Sequence, residues 1–497
     1  MVRKNTWTTY NQRQLKEVNK FAEEYKNFLD NAKTEREAID EIVNEVEEAG
    51  YVELSKLIGG RKKLKKGDKV YSVWMNKSIV IFQIGSEPLE NGLNILGAHI
   101  DSPRLDVKQN PLFEKEGIAY LDTHYYGGIK KYQYVAMPLA LHGVIVKKDG
   151  TTCQLSVGED EDDPVFFISD LLIHLAGDQM SKKAANVIEG EALDLIVGNK
   201  PLVIENETAS KAKSSKKNTK LTVGQQYAMD EEEKEGAEKK KVSGAIKRGI
   251  LAILKDEYGI EEDDFLSAEL EIVPAGKARD AGFDRSMILG YGQDDRVCAY
   301  PSMKAILKAK NLKRTGVCIL VDKEEIGSVG ATGMRSHFFE NAVAEVLNLC
   351  GQYSDLALRR CLANSCMLSS DVSAGFDPSY AGSFESKNSA FLGGGLVFNK
   401  FTGSRGKGGS NDANAEYIAA VRKVCDDNKV NFQTAELGKV DAGGGGTIAY
   451  ILALYGMNVI DCGVAVLNMH APWEATSKAD VYEALRGYVA FLEDMDF

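Results

Sequence analysis

The chain has 497 residues, enough for several domains at roughly 150 residues each, and its 44% hydrophobic and 27% charged content describes a soluble globular protein with ample core. A net charge of −12, from 73 acidic against 61 basic side chains, excludes a nucleic-acid binder that works by bulk charge. No run of about 18 apolar residues occurs, and no apolar segment follows Met1-Val2-Arg3-Lys4-Asn5-Thr6-Trp7, which argues against membrane spanning and secretion.

Residues 11–49 are rich in Glu, Lys, Ala and Leu. Their apolar positions have helical spacing (Leu15, Val18, Phe21, then Ile39, Ile42, Val43, Val46), which predicts two amphipathic packing helices. A basic patch at 61–66 lacks a Gly-rich helix start and reads as a solvated turn, not a phosphate site. After a predicted strand pair at 70–74 and 78–84, the apolar run Ile95-Leu96-Gly97-Ala98 ends in His99-Ile100-Asp101-Ser102-Pro103. A lone His on an apolar segment is usually a satisfied core residue. Here the Asp two positions on can receive the second ring N–H, fixing the tautomer and raising the basicity of an imidazole that binds a metal.

From about 106 to 272 the texture changes. Short β-like runs at 136–146, 154–157 and 165–168, separated by Gly, Asp and Pro clusters, predict an antiparallel module. Within it, residues 205–241 form a polar, Lys-rich then Glu-rich tract that reads as an exposed insertion with no assigned partner. A helix at 243–258 and a strand at 268–273 close the region.

Gly290-Tyr291-Gly292-Gln293-Asp294-Asp295-Arg296 then places paired acids where a loop enters a helix, a position that capping and the helix dipole favour in any case. The apolar run Val317-Cys318-Ile319-Leu320-Val321 delivers Glu324 and Glu325 into a Gly/Ser turn. In open α/β sheets ligands bind beyond the carboxyl ends of strands, and if strand conformation persists the two glutamates point apart, one toward a metal and one toward water or substrate. A helix is predicted at 343–358, a strand at 366–372 ending in Asp371, and a strand from 459 leading to His470, with a helix from about 479. The Gly-rich run 403–410 lacks GxxxxGK followed by Ser or Thr and is not a nucleotide loop; the run 441–448 marks a close approach of backbone either to substrate or to a neighbouring strand. Eight scattered cysteines without a CxxC pair read as reduced core thiols in the cytoplasm.

Each acid or imidazole alone is explained by ordinary loop chemistry. Together, His99, Asp101, Asp294, Glu324, Glu325, Asp371 and His470 form a mixed N/O set suited to zinc, with manganese or cobalt as alternatives. Two His and three carboxylates suffice for a co-catalytic pair with one bridging carboxylate. The ions would share a bridging water or hydroxide that attacks an amide, and Glu324, left over, would move the proton as general base.

The segments GAHIDSPRLDVK (97–108), GQDDR (292–296), DKEEIGS (322–328), SSDVSAGFDP (369–378) and NMHAPWE (468–474) resemble, in order and spacing, the aminopeptidase I / aspartyl aminopeptidase family of zinc metallopeptidases. The resemblance implies that His99, Asp294, Glu325, Asp371 and His470 bind two metal ions per subunit. Asp294 would bridge them, through a link to Asp295 that the family allows to be cis. Glu324 would be the general base, and Asp101 would orient His99. The fold implied is α/β, a mixed-sheet dizinc exopeptidase-like catalytic domain (1–105 and 274–497) with an inserted β-rich oligomerisation domain (106–273, including the tract 205–241). Assembly as a tetrahedral homododecamer is implied as well, with His174 as the best local match to a His that reaches a neighbouring subunit's site. Many members carry Asp-Asn where this chain has Asp294-Asp295, and a Gly-Pro after the C-terminal Gly-Thr-Ile is missing, so the resemblance leaves acidic, neutral and apolar N-terminal residues all open as the preferred substrate.

The leading expectation is therefore a cytoplasmic zinc aminopeptidase that removes single N-terminal residues from peptides with a free N-terminus, without a nucleic-acid or membrane partner. The same metal pair serves a carboxypeptidase or an N-acyl amino-acid deacylase, and a third reading is a non-enzymatic shell or cargo protein with a degenerate site; none of the ligand positions is missing.

Overall fold

Alternation along one apolar strand shows how the larger unit is layered. In Val317-Cys318-Ile319-Leu320-Val321 successive side chains point to opposite faces, so Cys318 and Leu320 join one core with Leu96, Ala98 and Leu368, while Val317, Ile319 and Val321 join a second with Ile95, Met367 and Val459. A strand buried on both faces needs a continuous apolar run, which is the pattern of parallel sheets sandwiched between helices.

The computed structural model describes residues 4–60, 63–202, 244–403 and 405–497. The tract at 205–241, with the first residues of the basic patch, lies outside them. The chain forms two units, the first made of Met1–Pro103, Tyr126–Ile129 and Gly276–Phe497, the second of Arg104–Tyr125 and Lys130–Ala275.

In the first unit a nine-stranded mixed sheet runs in the order Val52–Glu53, Lys69–Trp74, Ser78–Gln83, Thr315–Val321, Leu93–His99, Cys366–Ser369, Asn458–Gly463, Leu396–Asn399, Phe432–Thr434. Its four central strands are parallel, with Val321 paired to His99, Ser369 to Gly97 and Ser369 to Asp461. Their carboxyl ends therefore open along one edge. One face is covered by helices Gln12–Asn31, Glu35–Glu48, Gln293–Lys308 and Lys478–Asp494, the other by Phe338–Leu349, Asp355–Ala363 and Ala449–Ala453. The first two helices start at reciprocal capping boxes, Asn11 with Gln14 and Thr34 with Glu37. Each fully buried Ile or Val of the second, such as Ile39, Ile42 and Val46, contributes about 1.5–3 kcal/mol. A smaller five-stranded sheet, Arg279–Ala281, Met287–Gly290, Glu474–Ser477, Ala465–Leu467 and Ser373–Ala374, carries the chain on either side of His470.

The helix expected at 343–358 is two helices, Phe338–Leu349 and Asp355–Ala363. Gly351 turns the chain at φ +70°, and Ser354 caps the second by accepting from the Ala357 N–H, so continuous apolar spacing conceals a break.

The second unit holds a six-stranded sheet in the order Thr152–Val157, Leu139–Val146, Ala268–Pro274, Arg104–Lys115, Ile118–Tyr126, Leu195–Gly198, and the helix Ala245–Tyr258. The run at 165–168 is not a strand. Phe166 and Phe167 make only single bridges, to Leu139 and Ile196, because consecutive residues bond to different strands. No described helix is long and apolar enough to cross a membrane.

Candidate metal centre

Five chain segments deliver side chains to the site, three of them directly from the carboxyl ends of central strands. His99 is the last residue of its strand. Beyond Val321 the chain does not stay extended. Lys323 takes φ +69° and Glu324–Ile326 form a 3-10 turn, so the two glutamates are set by turn geometry and not by strand alternation, as the sequence had suggested. Asp371 follows the strand Cys366–Ser369, and His470 lies in a turn at φ +65°. Asp294 belongs to the first turn of Gln293–Lys308, where Asp294 and Asp295 have non-helical angles and the peptide bond between them is cis.

Possible ligand atoms of His99, Asp294 and Asp371 lie within 4.8 Å of one another, as do those of Asp294, Glu325 and His470, and those of His99, Glu324 and Glu325. Asp294 is common to the first two groups. Its Oδ1 lies 3.2 Å from His99 Nε2 and its Oδ2 3.2 Å from His470 Nε2, while His470 Nε2 is 3.5 Å from Glu325 Oε1. The outer nitrogens face away from the cluster. His99 Nδ1 lies 3.0 Å from the Asp101 carbonyl and 3.3 Å from its Oδ1, and His470 Nδ1 lies 2.8 Å from the Gly128 carbonyl. With Nδ1 serving as donor, both Nε2 lone pairs point inward.

The electrostatics of this arrangement suit a bound cation. Burial pushes the carboxyls of Glu325 and Asp371 well above their usual range, and pushes Glu324 up to about 7. Burial also opposes ionisation of Asp294, yet the imidazoles of His470 and His99 outweigh it and hold Asp294 below the usual carboxylate range. Burial disfavours the charged form of His470, but Asp294 and Glu325 carry it up to about 10. Among the described residues, no Lys or Arg pairs with Asp294, Glu324, Glu325 or Asp371. His99 Nε2 is buried without a hydrogen-bond partner. Two imidazoles and three carboxylates converging on one space are a suitable donor set for a borderline divalent ion such as zinc, which would take the place of the Nε2 protons that the imidazoles otherwise turn to Asp294.

Asp101 accepts from His99 Nδ1, from the N–H groups of Glu324 (3.1 Å) and Glu325 (3.2 Å), and from the hydroxyl of Tyr126 (2.9 Å). His174 is not in these groups. It stands in the second unit, exposed on the turn Ile173–Leu175 among exposed Leu171, Leu172 and Leu175. Sequence reasoning gave no role to Glu474. Its buried carboxylate accepts the His470 N–H at 2.8 Å through Oε1 and the Asp294 N–H at 3.0 Å through Oε2, so it joins the backbones of two ligand candidates. Burial pushes it up to about 8. A charged residue closing NMHAPWE was the one available signal.

Imidazoles and carboxylates gathered at the strand ends of a mixed sheet, with unpaired donors turned inward, define a metallohydrolase. The family model described as aminopeptidase I zinc metalloprotease (M18) matches residues 28–492. A probable M18 family aminopeptidase 1 of Clostridium acetobutylicum is 57% identical, over 99% of this chain and 98% of its own. Crystal structures of aminopeptidase I from C. acetobutylicum (TM-score 0.85, 55% identity) and of the M18 aminopeptidase of Thermotoga maritima (TM-score 0.86, 41% identity) each cover 99% of both chains. The yeast mApe1 dodecamer shares the fold at 19% identity, with a TM-score of 0.70 over 95% of this chain and 96% of that one. The chain belongs to the M18 family and is a zinc-dependent aminopeptidase.

Proposed function

We propose that this aminopeptidase removes single N-terminal residues from peptides with a free N-terminus, using two zinc ions per subunit. His99 and Asp371 would hold one, Glu325 and His470 the other, and Asp294 both. The observation that carries this reading is the sharing of Asp294 between two ligand groups, with one carboxylate oxygen turned to each imidazole. Manganese and cobalt are the other ions this donor set takes. When bound, the ions polarise the scissile carbonyl, acidify the attacking water and hold the developing oxyanion.

The chain's own groups do the rest. Glu324 takes a proton from the attacking water and returns it to the leaving amine. Burial pushes its carboxyl up to about 7, and adjacent cations draw it back toward the ionised form a base needs. Asp101 orients His99 and, through the N–H groups of Glu324 and Glu325, holds the base and a ligand in register.

The unit 104–125 and 130–275 is read as an inserted oligomerisation domain in a dizinc exopeptidase-like fold, and the assembly as a tetrahedral dodecamer. The exposed Leu171, Leu172, Ile173 and Leu175 beside His174 support a subunit contact there, with His174 reaching a neighbouring site. Eight free cysteines support the cytoplasm.

A panel of aminoacyl p-nitroanilides and their N-acetylated forms, run with metal analysis of the same sample, tests the reading. Hydrolysis of the free-amine set alone, with two zinc per chain, is expected; preference for acetylated substrates would favour a deacylase.

A further inference from the structure

The strand Ile118–Tyr126 ends where the chain crosses, for four residues, into the unit that holds the metal centre. These residues, Tyr126 to Ile129, received no role from the sequence, yet three of them touch the site from behind. The Tyr126 hydroxyl donates to Asp101 Oδ2 at 2.9 Å. Gly127, at φ +75°, passes so close to Glu325 that a Cβ would meet Oε2 at 3.1 Å and the Glu325 Cβ at 3.3 Å. The Gly128 carbonyl lies 2.8 Å from His470 Nδ1.

We propose that Tyr126-Gly127-Gly128 is a positioning strap for the metal centre, in which one short segment sets the second hydrogen bond of both imidazoles. The proposal rests on the ligand assignment above. At the His99 end the strap acts through Asp101, whose carboxylate also receives the Glu324 and Glu325 N–H groups. The tyrosine hydroxyl donates to Oδ2 beside the Glu325 N–H and keeps that carboxylate from rotating away from Nδ1. At the other end the Gly128 carbonyl does for His470 what the carbonyl and carboxylate of Asp101 do for His99: it accepts the Nδ1–H hydrogen bond and leaves Nε2 to face the ion. The glycine between them is a steric requirement. A side chain there would take up left-handed backbone strain and press on Glu325. Tyr126 is 9% exposed, and its ring is retained by Phe, so removal of the hydroxyl alone separates hydrogen bonding from packing.

The test compares full-length wild type, Tyr126→Phe, Gly127→Ala and the neighbouring-tyrosine control Tyr125→Phe. Zinc affinity is read by competition with a chromogenic chelator, alongside zinc per chain, kcat, KM and Tm. Tyr126→Phe is expected to weaken zinc about 10- to 100-fold and to lower kcat with KM within about twofold, the range seen when outer partners of ligands are lost. Gly127→Ala, should the Phe variant not fold, is expected to weaken zinc about tenfold or more. Tyr125→Phe should match wild type. In an Asp101→Asn background the Tyr126→Phe change should cost less than about twofold further, since the tyrosine acts through Asp101. Wild-type zinc affinity and kcat in Tyr126→Phe, a fall in Tm alone, or fully additive losses in the cycle would overturn the strap. Asp371→Asn and His470→Ala separate the two levels: if they keep the full zinc load the ligand assignment fails, whereas if they lose zinc and Tyr126→Phe does not, only the strap fails.

Discussion

Two acid clusters in this molecule are built on opposite principles. In the second unit Asp122, Asp194 and Glu191 gather around a cation the chain supplies itself: Lys108 Nζ lies 2.8 Å from Asp122 Oδ1 and 2.8 Å from Glu191 Oε2. Asp194 still suffers from burial and from Asp122, which raise it to about 6, but the cluster is half open to water and partly offset by Lys108. In the first unit Asp294, Glu324, Glu325 and Asp371 meet two imidazoles and, among the described residues, no Lys or Arg. Water and a lysine screen the first cluster, whereas buried carboxylates that face only imidazoles offer a divalent ion a place to bind. The contrast explains why the same residue types make a solvated patch in one place and a candidate metal site in the other.

Removal of metal should break that contrast most severely. Chelator is expected to abolish aminoacyl p-nitroanilide hydrolysis and to lower Tm, because a ligand that binds only the folded state stabilises it; a chelated sample with full activity would count against the assignment of positive charge to bound zinc. Next in size, Glu324→Gln should keep its zinc and lower kcat about 10²- to 10⁴-fold, the contribution of a positioned general base. An active Gln variant would remove Glu324 from that role. Glu474→Gln should lower activity or zinc affinity about 10- to 100-fold, since an amide can accept only through one atom and would set its NH2 against the N–H of either Asp294 or His470. Unchanged zinc affinity and activity would make Glu474 a packing residue.

The smallest effect belongs to the cluster around Lys108. Asp194 has a folded pKa of about 6, above its unfolded value near 3.9, so the native state binds more protons across that window. Its contribution to stability is present below about pH 4 and is lost as pH rises toward 6. Asp194→Asn should flatten this part of the Tm–pH profile by about 1–3 °C and leave zinc and kcat unchanged. A profile identical to wild type would mean that Lys108 already cancels the penalty.

The strand-end part of the site was legible because burial and chemistry coincide in short segments. An apolar run that must sit in a two-faced core, followed at once by His99, Glu324–Glu325 or Asp371, leaves the polar group at the sheet edge. What local pattern could not show is how distant segments support one another. Glu474 acts on Asp294 180 positions away, and the Gly128 carbonyl on His470 at a separation of 342, and neither contact has a spacing rule. Turn geometry was also opaque. The 3-10 turn at Glu324 depends on Lys323 adopting a left-handed conformation, which a lysine seldom signals, and the break at Gly351 hides within apolar helical spacing.

Anomalous scattering at the zinc edge, recorded from crystals of the zinc-loaded enzyme, tests the two-ion assignment most directly. Two peaks are expected in each subunit, one among His99, Asp371 and Asp294, the other among His470, Glu325 and Asp294. A single peak, or density placed away from Asp294, would contradict it.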